Sequence, residues 1–242
     1  MLKKFIGGGL AVGLGALLIF GSVTAVQAGS GRGGRPPAGP GTGGRAGVTQ
    51  PVPGTALPAA DPAGLTAAEG DGLLFMYEEE KLARDVYTAL YAQWGLTTFQ
   101  TISQSEQAHL DAVAVLLERY GLAAPAPVAP GAFVNADLQA LYTDLMARGS
   151  QSAAEALQVG GLIEEVDLQD LGMRLAQTDQ ADIQQVYTNL QAGSENHLRA
   201  FARALARQTG ATYQPQVLSQ TEGQAILAGS PGNGAGPRGG RP

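Results

Sequence analysis

Through the middle of the chain, apolar residues recur every three or four positions, the period of a helix with one buried face. From Leu73 to Trp94 one stripe reads Leu73, Tyr77, Glu80, Arg84, Tyr87, Tyr91, Trp94, and a second beside it reads Phe75, Glu79, Leu82, Val86, Leu90. Together they make a wide apolar arc, which predicts a helix with more than one neighbour. Gly95 closes it as a C-terminal cap. Upstream, Thr66 and Glu69 have capping-box spacing, and Gly70 and Gly72 are expected to interrupt the helix there. A second helix is predicted from about Thr98 to Tyr120, ending at Gly121, with the stripe Phe99, Ile102, Glu106, His109, Val113, Leu116, Tyr120. Pro125, Pro127 and Pro130 then impose a non-helical crossing. Asn135 caps a short helix through Leu138, Leu141 and Leu145 to Gly149. Ser150 or Ser152 starts a long one to about Gln177. Thr178 or Asp179 opens the last, which carries Tyr187, Leu190, Ser194, His197, Phe201 and Leu205 and ends near Gln208. No stretch alternates at period two for long enough to make a strand, so the class is all-α.

The connections predict topology. The first and second long helices are joined by a few residues, as are the third and fourth, so each pair forms an antiparallel hairpin. About 30 residues, Gly121 to Gln151, cross between the pairs and hold the short helix. That is the plan of a four-helix bundle with one long crossover.

The flanks change the picture only at the edges. Lys3 and Lys4, an apolar run from Phe5, and Val26-Gln27-Ala28 read as an export signal over residues 1–28, with a retained N-terminal membrane anchor as the alternative. Residues 29–64 are Gly/Pro-rich and read as a disordered linker. The bundle domain is expected over 65–216 and a disordered Gly-rich tail over 217–242. The formal charge of −6 argues against nucleic acid as a partner. No cysteine is present, which removes disulfides, thiolate metal sites and any rubredoxin-type iron centre, so reducing electrons must come from outside.

The candidate chemistry lies on the stripes. Glu106 and His109 take two consecutive core positions one turn apart, and His197 takes another on the last helix. The first helix offers Glu80, or Glu79 on the adjacent stripe. The third offers Glu164 and Asp167, with Glu165 as a rival to Asp167. Carboxylates with imidazole suit iron or manganese, and also zinc. A di-metal carboxylate site uses one Glu from each of two helices and a Glu-x-x-His pair from each of the other two. Four carboxylates in an apolar centre repel one another and lose their hydration, and two divalent cations balance them. Glu195 is about 200° round the helix from His197 and belongs to another face.

Each residue also has an ordinary explanation. A lone histidine on an apolar face is commonly a satisfied core residue. Ser103 with Glu106 has capping-box spacing, which would start that helix later. Glu78-Glu79-Glu80 with Lys81 and Arg84 can be a solvated charged face, as can Glu164, Glu165, Asp167 and Asp170. The coincidence of both histidines and acids from the other long helices on core stripes favours a metal site.

Four ordered blocks, EEEKLARDVYTAL from Glu78, SEQAHLDAV from Ser105, GLIEEVDLQDL from Gly161 and GSENHLRAF from Gly193, resemble an uncharacterised bacterial and archaeal domain family of the ferritin-like superfamily. The resemblance spans about Gly72 to Arg207 and implies a ferritin-like four-helix bundle. It implies metal ligation by Glu80, Glu106, His109, Glu164, Asp167 and His197, with two iron ions per chain as the leading expectation and manganese or zinc as alternatives. Glu80 followed by Tyr87 resembles the first-helix pattern of ferritins and rubrerythrins. Ser194 stands where the last motif has its Glu, so a one-metal site or an asymmetric pair is the alternative to a symmetric centre.

The expected function is therefore an exported ferritin-like metal-binding protein, extracellular, periplasmic or in the cell envelope, with a di-iron or di-manganese centre and oxygen- or peroxide-linked redox activity. Tyr77, Tyr87 and Trp94 are candidates to carry oxidising equivalents beside it. The alternatives are a non-catalytic metal-handling protein and a tethered helical interaction module. Metal ions are the expected partners, and a monomer or dimer the expected assembly.

Overall fold

The computed structural model describes residues 56–126 and 129–229. The export signal, most of the expected linker, Pro127 and the end of the tail lie outside the described residues. Among those described there are six α-helices, one 3-10 turn at Pro62–Gly64, and no strand. The chain is all-α. The helices are α1 (Ala67–Trp94), α2 (Thr97–Arg119), α3 (Ala136–Gly149), α4 (Ala153–Leu175), α5 (Ala181–Thr209) and α6 (Gln220–Ala228). None is long and apolar enough to cross a membrane.

Local chemistry sets the ends. Thr66 and Glu69 form the expected capping box, and Glu69 also accepts from the Thr178 hydroxyl at 2.6 Å, tying the start of α1 to the α4–α5 link. Gly70 and Gly72 do not interrupt α1. Gly72 lies where a Cβ would be 2.9 Å from the Arg174 guanidinium, which stacks over Phe75, so its smallness admits a neighbour and the helix runs through. Ser103 is interior to α2 and its hydroxyl donates to the Gln100 carbonyl, which rules out the later start. Asn135 caps α3 and Ser152 caps α4. Gln180 opens α5 without a side-chain cap, one or two residues after the expected start. Gly95 and Gly210 end α1 and α5 in the left-handed conformation.

α1 packs most extensively on α2, and α4 on α5; α2 also meets α5, and α1 meets α4. The charged stretch of α1 is not a solvated face. Glu78 accepts from the backbone N–H groups of Val134 and Asn135 at 2.5 and 2.8 Å. Lys81 pairs with Asp85 at 2.8 Å and donates to the carbonyls of Ala129 and Ala132, while Asp85 accepts from Gly131 N. These buried groups satisfy backbone groups of residues 129–135 in the proline-rich crossing.

The expected domain edges move outward at both ends. Leu57 and Ala60, placed in the linker by composition, pack against the core. The expected disordered tail contains α6, started by a Ser219–Glu222 capping box and held to α5 by Arg199, which donates to the Ile226 carbonyl at 2.9 Å. The strap before it is anchored by Glu165, a fully buried carboxylate that accepts from the N–H groups of Gln216, Val217 and Leu218 and from the Tyr213 hydroxyl.

Two apolar groups flank the polar positions of the long helices. One gathers Leu73, Met76, Val113, Leu116, Leu171, Ile183, Val186 and Leu190. The other stacks Tyr87, Phe99 and Phe201, with centroids 5.1–6.0 Å apart. Along α1, α2 and α5 the acidic and histidine positions fall between residues of these two clusters, so the polar groups form a layer with apolar packing on either side.

Candidate metal centre

Glu106 is the hub of that layer. Its Oε2 is 2.8 Å from His109 Nδ1, one turn along α2, and its Oε1 is 2.8 Å from His197 Nδ1 on α5. Glu80 Oε2 approaches His109 Nδ1 to 3.3 Å, and Glu164 Oε2 approaches His197 Nδ1 to 3.5 Å. The imidazoles stack with centroids 5.4 Å apart and an interplanar angle of 27°. One donor atom from each of Glu106, His109 and His197 lies within 4.8 Å of the other two.

These close approaches lack hydrogen-bond alignment. Both Nδ1 atoms, Glu106 Oε1, Glu80 Oε1 and Asp167 Oδ1 are buried with no hydrogen-bond partner. Buried polar atoms are nearly always paired, and one left alone costs about 1–3 kcal/mol. Carboxylate oxygens and imidazole nitrogens drawn together at 2.8–3.5 Å around a few protons are suited to a cation that takes the protons' place. Carboxylate with imidazole is a donor set for iron, manganese or zinc, so the residues present fit a divalent metal.

Surrounding groups fix the donors. His197 Nε2 lies 2.9 Å from Ser105 Oγ, which turns Nδ1 inward. A Cβ on Gly193 would be 2.5 Å from His109 Nε2, so only glycine leaves room for that ring. Tyr87 donates to Glu164 Oε1 at 2.5 Å, and Ser194 donates to Asp167 Oδ2 at 2.5 Å.

Burial and mutual charge set the protonation of the layer. Burial raises the Glu80 pKa to about 7, against the lowering influence of His109. Burial and neighbouring carboxylates also raise Glu164, and push Asp167 well above its ordinary range. Burial would raise Glu106 too, but the two imidazoles around it hold it down to about 2. Burial would lower His109, and Glu106 and Glu80 instead push it up to about 11; Glu106 and Glu164 push His197 to about 10. The layer thus keeps protons that a bound cation would replace.

Glu80, Glu106, Glu164 and Asp167 line one cavity, together with Glu79, and His109 and His197 touch its carboxylates. Glu165 faces the C-terminal strap instead, its oxygens taken by Tyr213 and the backbone of residues 216–218. Glu79 is buried beside Glu80 with both oxygens unpartnered, but only Glu80 reaches a histidine. Glu195 faces Arg199, away from the cavity. Of the three aromatic candidates only Tyr87 touches the layer. Tyr77 packs against the apolar cluster. Trp94 donates to the Gly149 carbonyl at the far end of α1, about 20 Å along the helix from Glu80. Ser105 and Gly193 take their roles from contacts between helices, which no spacing along one helix announces.

Residues 69–230 match the family described as "Uncharacterized protein domain (DUF2202)". The chain belongs to this DUF2202 family. It is 45% identical over 169 residues to the uncharacterized protein MJ0754 of Methanocaldococcus jannaschii, covering 69% of this chain and 90% of that one. The crystal structure of the hypothetical protein MJ0754 from Methanococcus jannaschii superposes with a TM-score of 0.69 at 42% identity, over 74% of this chain and all of that one. The DUF2202 region extends past α6, in keeping with the packing of that helix on α5.

Proposed function

We propose that this DUF2202 protein is an exported ferritin-like metalloprotein whose buried layer holds a di-iron or di-manganese centre that reacts with oxygen or peroxide. The convergence of Glu106, His109 and His197 donors, beside a cavity lined by Glu80, Glu106, Glu164 and Asp167, carries the reading. The ferritin-like assignment is supported by two short-linked helical pairs, a long crossover between them and a polar layer at mid-height. Export is supported by the basic start, apolar run and small-residue site over residues 1–28.

Glu80, Glu106, His109, Glu164, Asp167 and His197 would hold the metals, and the centre would supply one-electron redox chemistry towards a small oxidant. Glu106 turns one oxygen towards each imidazole and would offer both to the metals. Tyr87 steadies Glu164. The apolar clusters on either side exclude bulk water and strengthen the electrostatics within.

Elemental analysis of the purified full chain, beside His109→Ala and His197→Ala, tests the proposal. About two iron or manganese ions per chain, reduced in both variants, support it, and peroxide-dependent oxidation of Fe(II) supports turnover. Bound metal without turnover makes this a metal-handling protein. No metal, with both variants as stable as the parent, refutes the metal reading and leaves a helical interaction module.

A further inference from the structure

The two hairpins supply the layer in parallel, and comparing them isolates one difference. In the first, α1 brings Glu80 with Ala83 one turn on, and α2 brings Glu106 with His109 one turn on. In the second, α4 brings Glu164 with Asp167 one turn on, and α5 brings Ser194 with His197 one turn on. Glu80 to His109 is 3.3 Å and Glu164 to His197 is 3.5 Å, so these pairs correspond. What remains is Ala83 with Glu106 on one side and Asp167 with Ser194 on the other. A carboxylate and a small residue have changed places between the helices of a hairpin. Each hairpin still contributes two carboxylates and one imidazole.

We propose that Asp167 supplies from α4 the metal-binding carboxylate that the second hairpin lacks on α5, and that Ser194 is the positioning residue that holds it there. The proposal rests on the metal-centre reading and adds how a second cation is held. Asp167 lines the same cavity as Ala83, Glu80 and Glu106. Ser194 is buried and donates to Asp167 Oδ2 at 2.5 Å, its Oγ also lying 3.0 Å from the Leu190 carbonyl. That leaves Oδ1 buried and without a partner. A carboxylate fixed through one oxygen and free at the other is ready to bind a cation through the free one. A serine at 194 serves this arrangement by donating that hydrogen bond.

The test is the number of Mn(II) ions retained per full-length chain after loading and desalting, with folding checked by circular dichroism and melting. The variants are Asp167→Asn, which keeps the shape, Asp167→Ala, Ser194→Ala, and Asp167→Ala combined with Ser194→Glu, which makes the second hairpin like the first. Two ions are expected in the wild type, one in each Asp167 variant, and two again in the double variant. Ser194→Ala should keep two ions at weaker affinity. Two ions in Asp167→Asn, or one in a folded double variant, would overturn the proposal. A wild type with one ion overturns it while leaving the metal centre standing. A wild type with none removes the centre itself.

Discussion

Stripped of metal, the protein should lose stability as the pH rises from 5 to 8. Glu80 has a folded pKa of about 7 against an ordinary 4.5. A raised pKa means that the folded state binds the proton more tightly. Its stabilisation is complete below the unfolded value and is lost as the pH climbs through the folded value. At ~1.4 kcal/mol per unit the change is roughly 3 kcal/mol. The raised values of Glu164 and Asp167 act in the same direction, and those of His109 and His197 continue the loss above pH 6.5. Glu106 has the opposite sign, but its contribution disappears only below pH 4.5 and leaves this window untouched. For a domain of this size ~1 kcal/mol moves the Tm by about 2–4 °C, so the fall from Glu80 alone should be on the order of 6–12 °C. A bound metal would reverse the dependence, because it would replace those protons. At a hundred times Kd each ion adds about 2.7 kcal/mol, and proton competition weakens this towards pH 5. Thermal melts of chelator-treated protein with and without Mn(II), from pH 5 to 8, measure both slopes. A metal-free Tm that stays level or rises, or a metal-induced shift that shrinks with pH, would refute the reasoning.

Other perturbations separate the site from its supports. Gly193→Ala should force His109 aside, lowering metal affinity and costing about 1–3 kcal/mol, since its Cβ would meet Nε2 at 2.5 Å; titration with Mn(II) and chemical denaturation read the two effects. Glu165→Ala removes the acceptor of three backbone N–H groups and the Tyr213 hydroxyl and should destabilise by on the order of 3 kcal/mol. Hydrogen exchange should then rise first over residues 216–228, and unchanged exchange there would show that α6 is held by other contacts. Light scattering should give a monomer or dimer, and a mass near that of a closed ferritin shell would contradict the assembly expected from the sequence.

The helices were legible because helix formation is largely local. The period of Phe99, Ile102, Glu106, His109 and Val113, the caps at Thr66 and Asn135, and the stops at Gly95 and Gly210 each act within a turn or two of the chain. The same periodicity placed the histidines on buried faces and marked Glu80, Glu106, Glu164 and Asp167 for one layer. The sequence misled where composition stood in for contacts. Gly70 and Gly72 looked like breaks, yet Gly72 makes room for Arg174. Residues from 217 onward looked like a tail, yet Glu165 and Arg199 give that backbone partners.

By itself, then, the sequence determined the all-α class, the four long helices, the order of their connections and the residue types at the centre, all properties carried by spacing along one chain segment. Only the tertiary structure decided that Glu80 rather than Glu79 reaches His109, that Glu165 turns to the strap while Asp167 meets Ser194, and that Ser105 and Gly193 set the two imidazoles. Those outcomes depend on ångström-scale rotation and depth between helices distant in sequence, where residues adjacent in the chain diverge by about 100° and face different neighbours.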